Sequence, residues 1–325
     1  MKNRFRKIFT IFIIVIANLS LVFPADLALT TVKEALKDSK VVDIMYWALK
    51  DDKVIDNFLE SGLIDKVKAD TPPNGFYIQT GNFVGNASPK SITGLGFSPD
   101  LVILKPDTTA GSGAVFKTKA MSILNVSYFV ATAQSSSGAI RLDEDGFTAA
   151  TIVATNANVT TSWVAIGGSN CTSTGVFCIG QYTGDGASTK TITTGFQPDL
   201  VWVKRSTAVA ASWRSSDMAT NVSQYFTNTN QDTTGVNFTA FNSTGFTVGS
   251  TNNVSAGVYY YVAFKQVAGA LDVGTYTGNA TDNRNITGVG FKPDFVFLKN
   301  ANAGTAVSGT FNINESYGDN SNYFT

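Results

Sequence analysis

The chain has 325 residues, with 24 Lys plus Arg against 24 Asp plus Glu, and it contains no histidine. With zero formal charge and no basic cluster after residue 7, it lacks the positive stripe that phosphate backbones require, so nucleic acid is not an expected partner. The missing imidazole removes Ser-His-Asp and Cys-His catalysis and the commonest zinc ligand.

At the N-terminus, Lys2, Arg4, Arg6 and Lys7 precede sixteen mainly apolar residues, Ile8 to Phe23, and then Pro24 and Ala25. That order is the layout of a secretory signal, so residues 1–25 are expected to direct the chain out of the cell, to a secreted or cell-surface location. An uncleaved anchor is the alternative, because Phe23 stands where cleavage after Ala25 favours a small side chain. As a helix the stretch spans roughly 24 Å, short of the ~30 Å hydrocarbon core, which favours the signal peptide. Membrane contact is expected only through this segment.

Residues 26–73 read as a short α-helical segment and linker. Sixteen of the forty-one residues from 30 to 70 are charged, and Ala35, Val42, Met45 and Leu49 recur at helical spacing. Thr31 with Glu34 makes a capping box, a second helix carries Ile55, Phe58 and Leu59, and Thr71-Pro72-Pro73-Asn74-Gly75 is the linker.

Beyond Gly75 the pattern changes to short apolar runs broken by Gly, Asn, Ser and Thr, and one sentence is written three times. GNFVGNASPKSITGLGFSPDLVILK starts at Gly81, GQYTGDGASTKTITTGFQPDLVWVK at Gly180 and GTYTGNATDNRNITGVGFKPDFVFLK at Gly274. A period near 95 residues is that of a small domain. Phe116, Trp213 and Phe311 are each followed twelve residues later by a Tyr-Phe pair, so the agreement extends past the opening block.

In the second copy, strands are expected near 176–183, 190–194, 200–205, 211–216, 223–228, 236–248 with a break at Gly245, and 257–267. Seven strands with turn signals every eight to twelve residues fit an antiparallel β-sandwich. The expected fold is therefore mostly β: sandwich modules at 74–175 and 176–271 and an incomplete one at 272–325. The incompleteness suggests a piece of a longer frame, or a module completed by self-association.

Within each copy, Gly-Phe-x-Pro-Asp leads into LVILK, LVWVK or FVFLK. Such a run is apolar on both faces, as a central strand is, and Pro and Asp in the turn before it are expected to act structurally. The Thr-Gly-Asp/Asn segments read as hairpin or bulge corners. Asp143, Glu144 and Asp145 form an acidic cluster with no counterpart at Asn242, Ser243 and Thr244, which reads as a solvated turn. No metal, cofactor or catalytic constellation recurs, so no enzyme is expected. Cys171 and Cys178 are expected to form a disulfide closing a small loop at the junction of the first two copies.

Aromatic residues are the best candidates for binding. Trp213 beside Arg214, together with Tyr225 and Tyr260, could stack on a sugar ring and bond its hydroxyls. Of the triplet Tyr259-Tyr260-Tyr261, strand alternation sends only one face into a core and leaves the other exposed or between modules.

The string GxYTGxG…TGFxPDLVWVK, with Trp-Arg-Ser-Ser, Tyr-Phe and GFTVG…YYYVAFK after it, resembles repeat modules of bacteriophage tail-associated proteins and large secreted bacterial proteins. The resemblance covers Gly81 to Thr325 and implies a β-rich extracellular or virion-surface module; it brings no catalytic residues. The expectation is a non-enzymatic, adhesive array binding extracellular glycans or other surface polymers. Its rivals are a structural stalk or self-assembling layer, and a hydrolase with its catalytic part elsewhere. Exposed aromatics would favour binding, and aromatics buried at the junctions would favour the stalk.

Overall fold

The chain divides into two units, Met1–Thr71 and Pro72–Thr325. In the computed structural model the described residues are 75–106, 113–136, 140–150, 158–227, 230–281 and 284–301, together with the backbone of 310–313 and 322–323. All belong to the second unit. The expected signal segment and the helices of residues 26–73 lie outside the described residues.

The first repeat forms β1 (Tyr77–Val84), β2 (Lys90–Thr93), β3 (Leu101–Pro106), β4 (Val115–Thr118), β5 (Ser127–Tyr128), β6 (Ile140–Asp143), β7 (Gly146–Ala149) and β8 (Thr160–Gly167). They make two antiparallel sheets, one in the order β1-β8-β3-β4-β5 and one in the order β2-β7-β6. The second repeat repeats the plan with β9 (Phe177–Thr183), β10 (Thr189–Thr193), β11 (Leu200–Arg205), β12 (Ser212–Ser215), β13 (Gln224–Tyr225), β14 (Phe238–Asn242), β15 (Gly245–Gly249) and β16 (Val258–Phe264). Its sheets run β13-β12-β11-β16-β9 and β10-β15-β14. In the third, β17 (Phe295–Leu298), β18 (Thr310–Ile313) and β19 (Asn322–Tyr323) form an antiparallel sheet in sequence order. Among the described residues the one multi-residue helical element is the 3₁₀ turn Ser250–Asn253, and no helix is long and apolar enough to cross a membrane.

Side chains alternate across a strand, and here the alternation serves two cores. Along β11, Val201 and Val203 enter a core shared with Phe238, Phe246 and Val248 of the smaller sheet, while Trp202 points the other way. Along β16, Tyr259, Tyr261 and Ala263 take the first direction and Tyr260, Val262 and Phe264 the second. In the first repeat Val102, Leu104, Trp163 and Ala165 line the equivalent inner core with Phe147 and Ile140. Leu101, Ile103, Val164 and Ile166 turn outward and join Trp202, Trp213, Phe226 and Tyr260 in one further cluster. Phe295 and Phe297 of the third repeat pack on that cluster too. The run that reads as a buried central strand is therefore covered on one face by its own repeat and on the other by a neighbouring one.

Two repeated glycines follow from this geometry. Gly81 and Gly180 lie directly opposite Trp163 and Tyr261 in the ladders β1–β8 and β9–β16. A Cβ there would stand 2.6 Å from the Trp163 ring or 2.5 Å from the Tyr261 hydroxyl, so only glycine lets each ring lie over the strand. Gly96, Gly195 and Gly290 of the Gly-Phe-x-Pro-Asp block have φ of 74°, 89° and 81°, in the left-handed region that glycine occupies without strain. The Thr-Gly-Asp corner at Gly184 and Asp185 differs from expectation: it joins β9 to β10, which belong to different sheets, and so is a crossover corner and not a hairpin. Asn253 holds it, donating to the Asp185 carboxylate at 2.6 Å and to the Ala187 carbonyl at 2.9 Å.

Candidate functional site

The recurring polar residues can be followed one by one. Asp100 precedes β3, and its carboxylate accepts from the Ser169 amide at 2.7 Å and pairs with Lys119 at 3.0 Å. Its equivalent, Asp199, accepts from the Gln266 amide at 2.8 Å. In both repeats the aspartate ties the start of the central strand to the segment leaving the strand beside it. Asp145 of the acidic cluster accepts from the amides of Gly94 and Gly96 at 3.1 and 2.7 Å. Asp143 pairs with Arg141 at 2.6 Å and accepts from Thr148 at 2.8 Å. Partial burial pushes the Asp143 carboxyl up, but these two bonds outweigh it and hold the carboxyl below its ordinary range. Among the described residues, no group of three or more Asp, Glu or Cys is placed to hold a metal ion.

The Trp213-Arg214 pair lies inside. Trp213 is 8 % exposed, with its ring 5.0 Å from that of Phe297 and 6.4 Å from that of Phe226. Arg214, 6 % exposed, donates to the carbonyls of Ala219 at 2.8 Å, Met218 at 3.1 Å and Val222. Lys117 of the first repeat does the same to Met121 at 3.5 Å, Asn125 at 2.8 Å and Ser122. The Lys117-for-Arg214 exchange thus keeps one device, a buried cation around which the loop after β4 or β12 is wound. Burial lowers the Arg214 guanidinium from its ordinary value and brings Lys117 down to about 8. Tyr260, 6 % exposed, sits in the cluster between repeats, and Tyr225 is half-buried on β13. The structure brings Trp213 and Tyr260 into one apolar cluster, turns Arg214 to its own loop and leaves none of the three on an open face.

Lys204 was not legible as special. It ends the apolar run of β11, is fully buried, and donates to Val130 at 3.2 Å and Thr132 at 2.9 Å in the first repeat and to Thr207 at 3.3 Å and Val209 in its own. Burial brings its ammonium down to about 8. Backbone bonds from Ala211 to Phe129 and from Gln134 to Ser206, both 2.8 Å, join the same two segments. The one available signal was the lysine closing each copy of the run, Lys105, Lys204 and Lys299.

Cys171 and Cys178 are bonded, with Sγ atoms 2.09 Å apart, and tie an exposed loop to the buried end of β9. Among the described residues the large exposed apolar side chains include one aromatic, Tyr276, with the Arg284 guanidinium 5.5 Å from its ring centre.

These positions repeat as a set, and a known family model picks out one copy of the set. Residues 172–274 match a family described as a domain of unknown function, DUF7483. The match spans the second repeat from the disulfide loop to the first residue of the third. None of the curated proteins and none of the solved structures matches the chain.

Proposed function

We propose that this is a non-enzymatic structural protein of an extracellular or surface assembly, in which each complete repeat is a β-sandwich module and the modules are joined through shared apolar faces. The observation that carries this reading is the burial of the repeated aromatics at the junctions, where Phe129, Trp202, Trp213, Phe226 and Tyr260 form one cluster. Side chains spent on joining repeats are not available to a ligand. The recurring Asp100/Asp199 and Lys117/Arg214 positions are likewise engaged with backbone, as scaffold residues are. A disulfide and a neutral, amide- and hydroxyl-rich surface suit an oxidising exterior.

A second reading, glycan binding, is favoured by the exposed Tyr276 with Arg284 over its ring. One experiment separates the two. The secreted chain is examined by electron microscopy and light scattering, and on a panel of immobilised surface polysaccharides. Ordered rods or layers without saturable polysaccharide binding are expected. Saturable binding abolished by Tyr276→Ala, with the chain remaining dispersed, would replace the structural reading with the adhesive one.

A further inference from the structure

The contacts between repeats are themselves repeated. Phe129, last residue of the first Tyr-Phe pair, lies 5.9 Å from Trp202, the third residue of LVWVK in the next repeat. Phe226, last of the second pair, lies 5.1 Å from Phe297, the third residue of FVFLK in the repeat after. Each repeat therefore offers its Tyr-Phe end to its successor and its central strand to its predecessor. Such a contact is heterologous, and repeating one heterologous step gives either an open helix or a closed ring. Here the third step returns: the backbone of β18 comes within 8 Å of β8 of the first repeat, Cα to Cα. Two like steps followed by a return to the first repeat place the three repeats around one shared apolar cluster.

We infer that the outer face of the five-stranded sheet is an association surface whose partner is another copy of the same repeat, and that three copies satisfy it. Three consecutive repeats in one chain are then the covalent counterpart of three separate copies meeting through this face. The matched family marks the same unit of sequence, since its model spans one repeat. A lone repeat of this kind would otherwise leave Trp202, Trp213, Phe226, Tyr260, Val262 and Phe264 on one open face, a patch of the sort monomers rarely tolerate. The inference holds whether or not the protein proves structural in its native setting.

The second repeat closes an inner core of its own, with Val201, Val203, Phe238, Phe246 and Tyr261, so residues 168–274 are the segment to test. Sedimentation equilibrium of that segment should give three times its monomer mass, and Phe226→Asp should return it to the monomer. A folded wild-type monomer or dimer would overturn the inference. Should the segment not fold, the full chain decides. A protease site placed at the exposed Gly269 severs the third repeat from the others. Co-elution of the pieces under native conditions, lost with Phe226→Asp, supports the association surface; pieces that separate in the wild-type background refute it.

Discussion

At the residue scale the least ordinary groups are cations held inside by carbonyl oxygens. A buried lysine without a carboxylate partner is costly, and the cost falls on the charged form, which is why Lys204 and Lys117 are both brought down to about 8 from 10.5. The direction has a consequence for stability. The folded chain releases these protons at lower pH than the unfolded chain does, so between about pH 8 and 10.5 the unfolded chain binds more protons and stability climbs with pH. Below about pH 8 both states are protonated and this contribution is flat. At about 1.4 kcal/mol per pH unit, the gain from Lys204 is at most about 3.5 kcal/mol. Urea midpoints measured near pH 7.5 and pH 9.5 should therefore rise with pH in the native chain, and rise by a smaller amount in Lys204→Met. An equal rise in both would show that Lys204 keeps its proton throughout.

At the element scale, the strands follow from pattern and the loops from chemistry that pattern does not display. β9, β10, β11 and β12 fall within a residue or two of the expected ranges, and β16 ends three residues early, because period-two runs bounded by Gly, Asn and Thr have one reading. The long run 236–248 is β14 and β15, and the break lies at Ser243 and Thr244, just before the expected Gly245, which opens β15 opposite Asn242. The Thr-Gly-Asp corner was misread because Gly and Asp suit hairpins and crossovers alike; what decides is which sheet takes the next strand. The cation-wrapped loops were illegible for another reason: their acceptors are backbone carbonyls, which every residue has. The disulfide is the loop element whose worth can be estimated from separation alone. Closing the short loop from Cys171 to Cys178 contributes about 2.5 kcal/mol on the chain-entropy account. Cys171→Ser should lower the urea midpoint correspondingly, and a reductant should lower the native chain to the same point while leaving the variant unmoved. A native chain indifferent to reductant would mean that the exposed loop is held by its other bonds.

At the scale of the whole molecule, the sequence shows a tandem array and the structure shows shared interiors, and the two lead to different physical behaviour. Independent modules melt independently, whereas repeats that bury each other's sheet faces add an interface term to every unit and can melt together. The apolar character of both faces of LVWVK was readable, but a strand that is apolar on both sides says only that two covers exist, not that one of them is another repeat. Phe226 is the residue that tests the difference, since it is 2 % exposed and its ring contacts Phe129 of the first repeat at 4.6 Å and Phe297 of the third at 5.1 Å. Truncating a buried phenylalanine costs about 3 to 5 kcal/mol. If the cost is borne by the shared cluster, Phe226→Ala lowers the melting of the first repeat as well as the second, although the substitution lies in the second alone. Hydrogen exchange reads this directly: amides of β3 and β8 should lose protection together with those of β11 and β16. Protection lost only in β11 and β16, with β3 and β8 unchanged, would mean that the repeats are energetically separate and that the cluster between them is mere contact. A joint loss would make the first two repeats one cooperative body, stiff because neither can turn without opening the core it shares.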